Sequence, residues 1–299
     1  MIKRFLSYVE IKTKITSTFA FMLTITFLLY SGRPIDWLRT LVFFLAMFLF
    51  DLTTTAINNY IDTKTNEQVL QFERRTALTI ILILFTISTA LGLYLAYLTD
   101  VVVLLLGGLC FLTGVFYTYG PVPISRMPLG EVMSGLFYGL FIPFLLLYIN
   151  MPEGTYLTLG LGWESIRLEL NVMPLISVLL LAVTPMCTTA NIMLANNTCD
   201  VEKDVKVRRY TLPYYLGKKA LWLFALLYYA CYASIVAMVV LRILSPVCLV
   251  SLLTIIPVQR NINIFMERQD KASTFITSIK NYIIIMGSLT ITVFVSAAL

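Results

Sequence analysis

Two stretches of this chain spell nearly the same word. Asn58-Asn59-Tyr60-Ile61-Asp62-Thr63-Lys64-Thr65-Asn66 and Asn196-Asn197-Thr198-Cys199-Asp200-Val201-Glu202-Lys203-Asp204 share the pattern N-N-x-x-D-x-x-x-[N/D]. Each closes a long apolar run and is followed by paired arginines, Arg74-Arg75 and Arg208-Arg209. Asp and Asn oxygens are hard donors suited to Mg²⁺, which keeps waters and favours phosphate oxygens as its remaining ligands. Ca²⁺ fits less well, since no dedicated loop closes on a bidentate Glu. The basic residues nearby suit a phosphorylated substrate. Ionisable groups at the ends of membrane helices are costly to place, so they point to function.

Helical geometry gathers these donors. At about 100° per residue, Asp51, Thr55, Asn58, Asp62 and Asn66 fall within an arc of about 80°, and so do Thr189, Asn196, Asp200 and Asp204. Two polar stripes running out of the membrane in this way can face one another across a cavity. Taken singly, either copy also reads as a solvated helix end with an Asn cap, because Asn and Asp favour helix ends. Two copies at one membrane depth, each with a basic follower, make ligation the stronger reading.

The elements that must position these residues are membrane spans. The chain is 59% hydrophobic and 13% charged, with mean hydropathy +0.86. A soluble domain of 299 residues has no interior large enough for that much apolar surface. A span needs about 20 apolar residues. Nine stretches qualify: 15–31, 37–59, 76–98, 100–119, 130–150, 171–196, 219–242, 244–262 and 276–298. Turn chemistry separates most of them, as at Ser31-Gly32-Arg33-Pro34, Gly120-Pro121-Val122-Pro123, Met151-Pro152-Glu153-Gly154 and Ser245-Pro246. Only Thr99-Asp100 parts the third from the fourth.

With the N-terminus in the cytoplasm, just Arg33, Arg39, Arg167 and Arg242 of the 22 Lys and Arg fall outside. The other 18, Lys12 and Lys14 among them, fall inside, as the positive-inside bias requires. Both motifs and the Tyr117–Glu131 connection then face the cytoplasm, and the C-terminus lies outside. The net charge of +6 is accounted for by this bias and by attraction to anionic lipid headgroups. Nucleic-acid binding is not expected, since the cations are split over several short loops. The first residues show no cleavable signal peptide.

Five scattered Cys form no C-x-x-C pair, so neither a disulfide framework nor a thiolate metal site is expected. The chain has no His, which excludes His-based acid/base chemistry and the usual zinc sites. Gly135-x-x-x-Gly139 predicts close helix packing. The Tyr214-Tyr215 and Tyr228-Tyr229 pairs predict interfacial or packing roles, and Glu67 a solvated loop position.

At the two motifs the chain resembles the UbiA superfamily of intramembrane aromatic prenyltransferases. That family carries N-D-x-x-D-x-x-x-D after its second helix and D-x-x-x-D after its sixth. The stretch from Asn196 through Asp200, Asp204, Lys206, Arg208 and Arg209 to Pro213 is a close match. A second signature, Tyr117-Thr118-Tyr119-Gly120-Pro121-x-Pro123 with Leu129-Gly130-Glu131, is similar to that of the branch that prenylates 1,4-dihydroxy-2-naphthoate on the way to menaquinone. In that branch the first part reads Y-T-G-G-P-x-P; Arg126 stands where it often has Tyr. The first motif departs from the family at Asn59 and Asn66, amides in place of carboxylates, which implies a weaker first metal site.

The resemblance implies an all-α, polytopic bundle of about nine transmembrane helices around a central cavity open to the cytoplasmic side. It implies one prenyltransferase domain over 1–299, with pseudo-repeated halves at 15–150 and 171–298. The implied activity is Mg²⁺-dependent transfer of a polyprenyl group from its diphosphate to an aromatic acceptor, with loss of CO₂, giving demethylmenaquinol at the cell membrane. Asp62, Asp200 and Asp204 are the implied catalytic residues. Two Mg²⁺ ions, bridged by the diphosphate, are implied at Asn58, Asp62, Asn66, Asn196, Asp200 and Asp204. Lys64, Arg126, Lys206, Arg208 and Arg209 are implied for the diphosphate, and Asn59 and Tyr117 for the aromatic or prenyl group. The prenyl tail would lie among apolar helices and leave into lipid. Acceptors such as 4-hydroxybenzoate or haem stay open. So does a cation-coupled transporter, which would instead place its polar groups near the bilayer midplane.

Overall fold

The computed structural model describes residues 1–64, 69–120 and 123–299. Among them, eight helices are long and apolar enough to cross a membrane. In chain order the apolar helices are α1 (Ile11–Tyr30), α2 (Trp37–Asp62), α3 (Arg74–Leu98), α4 (Val101–Phe116), α5 (Gly130–Asn150), α6 (Val172–Lys206), α7 (Lys219–Val240), α8 (Pro246–Glu267) and α9 (Ile276–Ala298). The shorter one is α4, with 16 residues. The protein is a mostly helical, multi-span membrane protein. Helices suit this setting because every backbone polar group must find its partner inside the segment when no water is at hand.

The thin break at Thr99-Asp100 is real. The Asp100 carboxylate accepts the N–H groups of Val102 (2.8 Å) and Val103 (3.2 Å), so it caps α4 and ends any continuation of α3. Asp36 does the same for α2, accepting from the Arg39 N–H at 3.0 Å.

Three differences from the expected boundaries carry information. First, α6 runs 35 residues, ten past the expected end at 196, so the whole second motif is helical. Second, strands β1 (Leu157–Leu161) and β2 (Ile166–Leu170) form an antiparallel hairpin between α5 and α6. Its signal was the strict alternation of Leu157-Thr-Leu-Gly-Leu161 and Ile166-Arg-Leu-Glu-Leu170. Third, α1 begins at Ile11, ahead of the expected start at 15, so Lys14 lies in its first turns and is 3% exposed. Burial of this ammonium is matched by a partner on α2. Its Nζ lies 2.8 Å from Asp51 Oδ1 and also donates to the Asp51 carbonyl and the Thr55 hydroxyl. Ser17 donates to the other Asp51 oxygen at 2.7 Å. Burying a charge is tolerated when it is paired and hydrogen-bonded in this way.

The chain divides into two compact units. The first comprises Met1–Thr18 and Asp36–Ile124. Its core joins a short N-terminal helix, Ile2–Tyr8, to α2 and α3 through Tyr8, Val9, Leu52, Ala56, Ala77, Ile81 and Leu84. The fully buried Tyr8 hydroxyl donates to the Ala56 carbonyl at 3.0 Å. On α4, a Cβ at Gly114 would come within 2.7 Å of the Phe50 side chain of α2, so a larger residue there would have to displace that ring.

The second unit comprises Phe19–Ile35 and Ser125–Leu299. Helix α6 is its axis. Helix α5 holds a π-helical stretch at Gly135–Phe141, and a Cβ on Gly139 would fall 2.2 Å from the Met186 backbone nitrogen. The Gly135-x-x-x-Gly139 spacing thus serves close packing, as its small residues suggest. Asn191 of α6 donates to the Phe224 carbonyl of α7 at 2.9 Å, and Phe224 packs on Phe265 of α8 with ring centroids 4.6 Å apart. Asn261 of α8 donates to Asn281 of α9 at 2.7 Å.

Candidate active site

The second motif occupies the last turns of α6 and splits into two pairs. Asn196 and Asp200 lie one turn apart and turn to the same point, the ammonium of Lys271. Lys271 Nζ is 2.6 Å from Asp200 Oδ2 and also donates to Asn196 Oδ1. Lys271 comes from the connection between α8 and α9. That connection is held in shape by Asp270, whose carboxylate accepts both the N–H (2.8 Å) and the hydroxyl (2.6 Å) of Ser273. Those two hydrogen bonds hold the Asp270 carboxyl below its ordinary pKa. The Lys271 ammonium also lies over the Phe275 ring, 5.0 Å from its centroid.

Asn197 and Asp204 are seven residues apart, two turns, and form the other pair. The buried Asn197 donates to Glu131 Oε1 at 2.8 Å. Its own oxygen receives Arg209 at 3.5 Å, and Arg209 Nε stands 3.7 Å from Asp204 Oδ2. Arg209 returns to the helix because the chain reverses immediately after it. Val207 and Arg209 both donate to the Asp204 carbonyl, and Arg208 takes a left-handed conformation at φ 56°. That is the reversal by which helices commonly satisfy their last carbonyls. The two arginines therefore part company, with Arg209 half-buried on the motif and Arg208 exposed. The next residue, Tyr210, donates its N–H to the Arg126 carbonyl at 3.1 Å. Lys206 ends α6 with its side chain exposed.

The first motif is wired to its own scaffold. Asn58 Oδ1 accepts from the Thr118 hydroxyl. Asn59 turns toward the N-terminal segment, donating to the Tyr8 carbonyl at 2.8 Å and to Glu10 Oε1 at 3.2 Å. A carboxylate has no hydrogen to give at either place, which explains the amide at position 59. Asp62 is the last residue of α2. Beyond it, Arg74 donates to the carbonyls of Tyr60 (3.0 Å) and Thr63 (3.1 Å), so it closes the end of α2. Lys64 and Arg74 both lie over the Tyr60 ring, at 5.1 and 5.4 Å. Tyr117 follows α4, its N–H on the Thr113 carbonyl at 2.8 Å. Asn66, Glu67 and Pro121 lie outside the described residues.

The oxygens of the second motif suit a cation, since two of them already converge on one, the Lys271 ammonium. Among the described residues, no three His, Cys, Asp or Glu side chains gather into a closed metal cage. An open set of one carboxylate and one amide oxygen matches Mg²⁺, which fills its other positions with water and phosphate.

The sequence model of the UbiA prenyltransferase family matches residues 18–281. The chain belongs to the UbiA prenyltransferase family. It is a membrane enzyme of the prenyl-transferring class. This UbiA member is 25% identical over 245 residues to a 1,4-dihydroxy-2-naphthoate octaprenyltransferase of Bacillus subtilis (strain 168), covering 78% of the chain and 72% of the relative. Its fold is similar to that of a digeranylgeranylglyceryl phosphate synthase, with TM-score 0.65, 17% identity, and 99% and 98% of the two chains covered. It is also similar to a UbiA homolog from Archaeoglobus fulgidus bound to DMAPP and Mg²⁺, with TM-score 0.62, 13% identity and 99% of each chain covered.

Sequence reasoning missed two contributors in this UbiA member. Lys271 was visible only as one more cytoplasmic cation, since nothing in its neighbourhood spells a motif. Glu131 stood in the Leu129-Gly130-Glu131 signature, but its partner Asn197 is 66 residues away and no local spacing connects them.

Proposed function

We propose that this enzyme transfers a polyprenyl group from its diphosphate to 1,4-dihydroxy-2-naphthoate, with loss of CO₂. The observation that carries this reading is the placement of Asn196, Asp200 and Asp204, hard oxygen donors, on the last turns of α6, with Arg209 against Asp204. The naphthoate-specific acceptor is supported by the Bacillus relative and by the signature from Tyr117 to Glu131. One domain carries the activity, with two related halves. The Lys and Arg distribution supports a cytoplasmic N-terminus and an outer C-terminus in the cell membrane.

Asn196, Asp200 and Asp204 would hold Mg²⁺, with Asn58 and Asp62 as candidates for a second ion, and the metal would supply positive charge that stabilises a departing diphosphate. Arg209 offers a planar fork that binds phosphate oxygens in pairs, which Lys does not match. Asn197 receives one arm of that fork and is itself fixed by Glu131, so the guanidinium is oriented before substrate arrives. Lys64, Arg126, Lys206 and Arg208 add positive charge at the helix ends. The donor's C–O bond breaks with its electron pair leaving on the diphosphate. The electron-rich ring supplies the pair for the new C–C bond, and departure of CO₂ returns a pair to the ring. No protein nucleophile takes part, in keeping with a chain that has no His. Apolar helices around the prenyl chain keep water from the allylic cation.

Purified protein with Mg²⁺, a polyprenyl diphosphate and 1,4-dihydroxy-2-naphthoate tests the reading. Prenylated naphthoquinol and CO₂ are expected in equal amounts, and neither with EDTA. Turnover of 4-hydroxybenzoate in preference to the naphthoate would overturn the acceptor assignment.

A further inference from the structure

We propose that Lys271 is a built-in counter-cation of the second motif: its ammonium holds the position between Asn196 and Asp200 and is displaced when a divalent cation binds there. The inference rests on the metal assignment above and adds the residue that competes with the metal.

The geometry singles out Lys271 from the other cations near Asp200. Lys203 stands 4.0 Å away on the same helix with 81% of its side chain exposed, an arrangement that contributes little. Lys271 is 2.6 Å from Asp200 and is brought from a point 71 residues further along the chain. Two oxygens one helical turn apart share a single cation position, so an ammonium and a metal ion exclude one another there. The Asp270–Ser273 turn fixes the backbone from which Lys271 departs. Its four-carbon stem lets the head group swing away without moving that turn. Charge supplies the reason for such a residue. Asp200 has only 21% of its side chain exposed, and a carboxylate so placed is costly without a positive partner. Lys271 supplies that partner between turnovers and thereby lowers the affinity for the free metal. A motif that binds Mg²⁺ weakly on its own and well together with a diphosphate releases both when the product diphosphate leaves.

Full-length protein in detergent, without substrate, is titrated with Mn²⁺ and followed by electron paramagnetic resonance. Lys271→Met keeps the length of the side chain and removes its charge. Its Mn²⁺ dissociation constant is expected to fall about tenfold, while Lys271→Arg stays near wild type. In EDTA, Lys271→Met is expected to melt below wild type, and Mn²⁺ to close the gap. An unchanged or weaker Mn²⁺ affinity in Lys271→Met overturns the proposal, as does equal tightening in Lys271→Arg. Asp200→Asn separates the two levels. If it weakens Mn²⁺ binding while Lys271→Met changes nothing, the counter-cation role fails alone and the metal assignment stands. If Asp200→Asn binds Mn²⁺ like wild type, the metal assignment fails and the counter-cation role with it.

Discussion

The ends of α2 and α6 carry the same N-N-x-x-D word and use it differently. On α6 both aspartates of the motif meet a cation from outside the helix: Asp200 meets Lys271, and Asp204 meets Arg209. On α2 the two amides are taken up by neighbours in the same unit, Thr118 for Asn58 and Tyr8 with Glu10 for Asn59. The basic followers diverge likewise. Arg209 turns back onto its motif, whereas Arg74 spends its hydrogen bonds on the carbonyls that end α2. Even the connection between Tyr117 and Glu131 is shared out, with Thr118 serving the first motif and Glu131 the second. A repeated sequence word therefore fixes position on a helix, while the partners decide whether it is scaffold or chemistry. In this molecule the α6 copy draws in cations from beyond its helix, and the α2 copy is half scaffold.

The largest expected effect is structural and lies below the first motif. Asp51→Ala leaves the Lys14 ammonium buried without its carboxylate, which should cost about 3–5 kcal/mol. The double variant Lys14→Met, Asp51→Leu should recover much of that loss in a thermal melt. A single variant as stable as wild type would show that the pair contributes nothing to the first unit.

Next come the carboxylates of α6. Asp200→Asn and Asp204→Asn should each lower kcat/KM about 100-fold or more, equivalent to ~2.7 kcal/mol of transition-state stabilisation, without loss of folded protein. Either variant keeping more than about a tenth of wild-type activity, a loss of only ~1.4 kcal/mol, would contradict the chemical role of this copy.

Asn59→Asp sharpens the contrast from the other side. It replaces a donor with a carboxylate facing the Tyr8 carbonyl and Glu10, so stability should fall by about 1–3 kcal/mol. Tighter Mg²⁺ dependence with unchanged stability would instead mean that position 59 faces the metal.

The smallest effect separates the two arginines. Arg209→Lys should raise the donor KM several-fold, because an ammonium lacks the guanidinium's paired donors. Arg208→Lys, at an exposed reversal, should stay within about twofold of wild type. Equal effects at both positions would remove Arg209 from the diphosphate site.

Much of this was legible in the sequence because membrane constraints are local. Twenty apolar residues between Gly, Pro and charged punctuation make a span wherever they occur, and even Asp100 could be read as a break. The two motifs stood out for the same reason, being compact words at helical spacing. What escaped reading was what depends on distant partners. Lys14 looked like a topological charge because Asp51 is 37 residues away, and Lys271 looked like another because Asp200 is 71 residues away. Composition around Asn59 gave no hint that it serves the N-terminal segment. The hairpin was legible in its alternation, but a search tuned to 20-residue spans passes over five-residue strands.

The most direct test of the central claim is to see where the metal goes. Crystals soaked with Mn²⁺ and a non-hydrolysable prenyl thiodiphosphate give an anomalous signal at each bound ion. The strongest peak is expected beside Asp200 and Asn196, with the Lys271 ammonium moved off that position, and a weaker peak near Asp62. A dominant peak at the end of α2, with Lys271 still seated on Asp200, would contradict that claim.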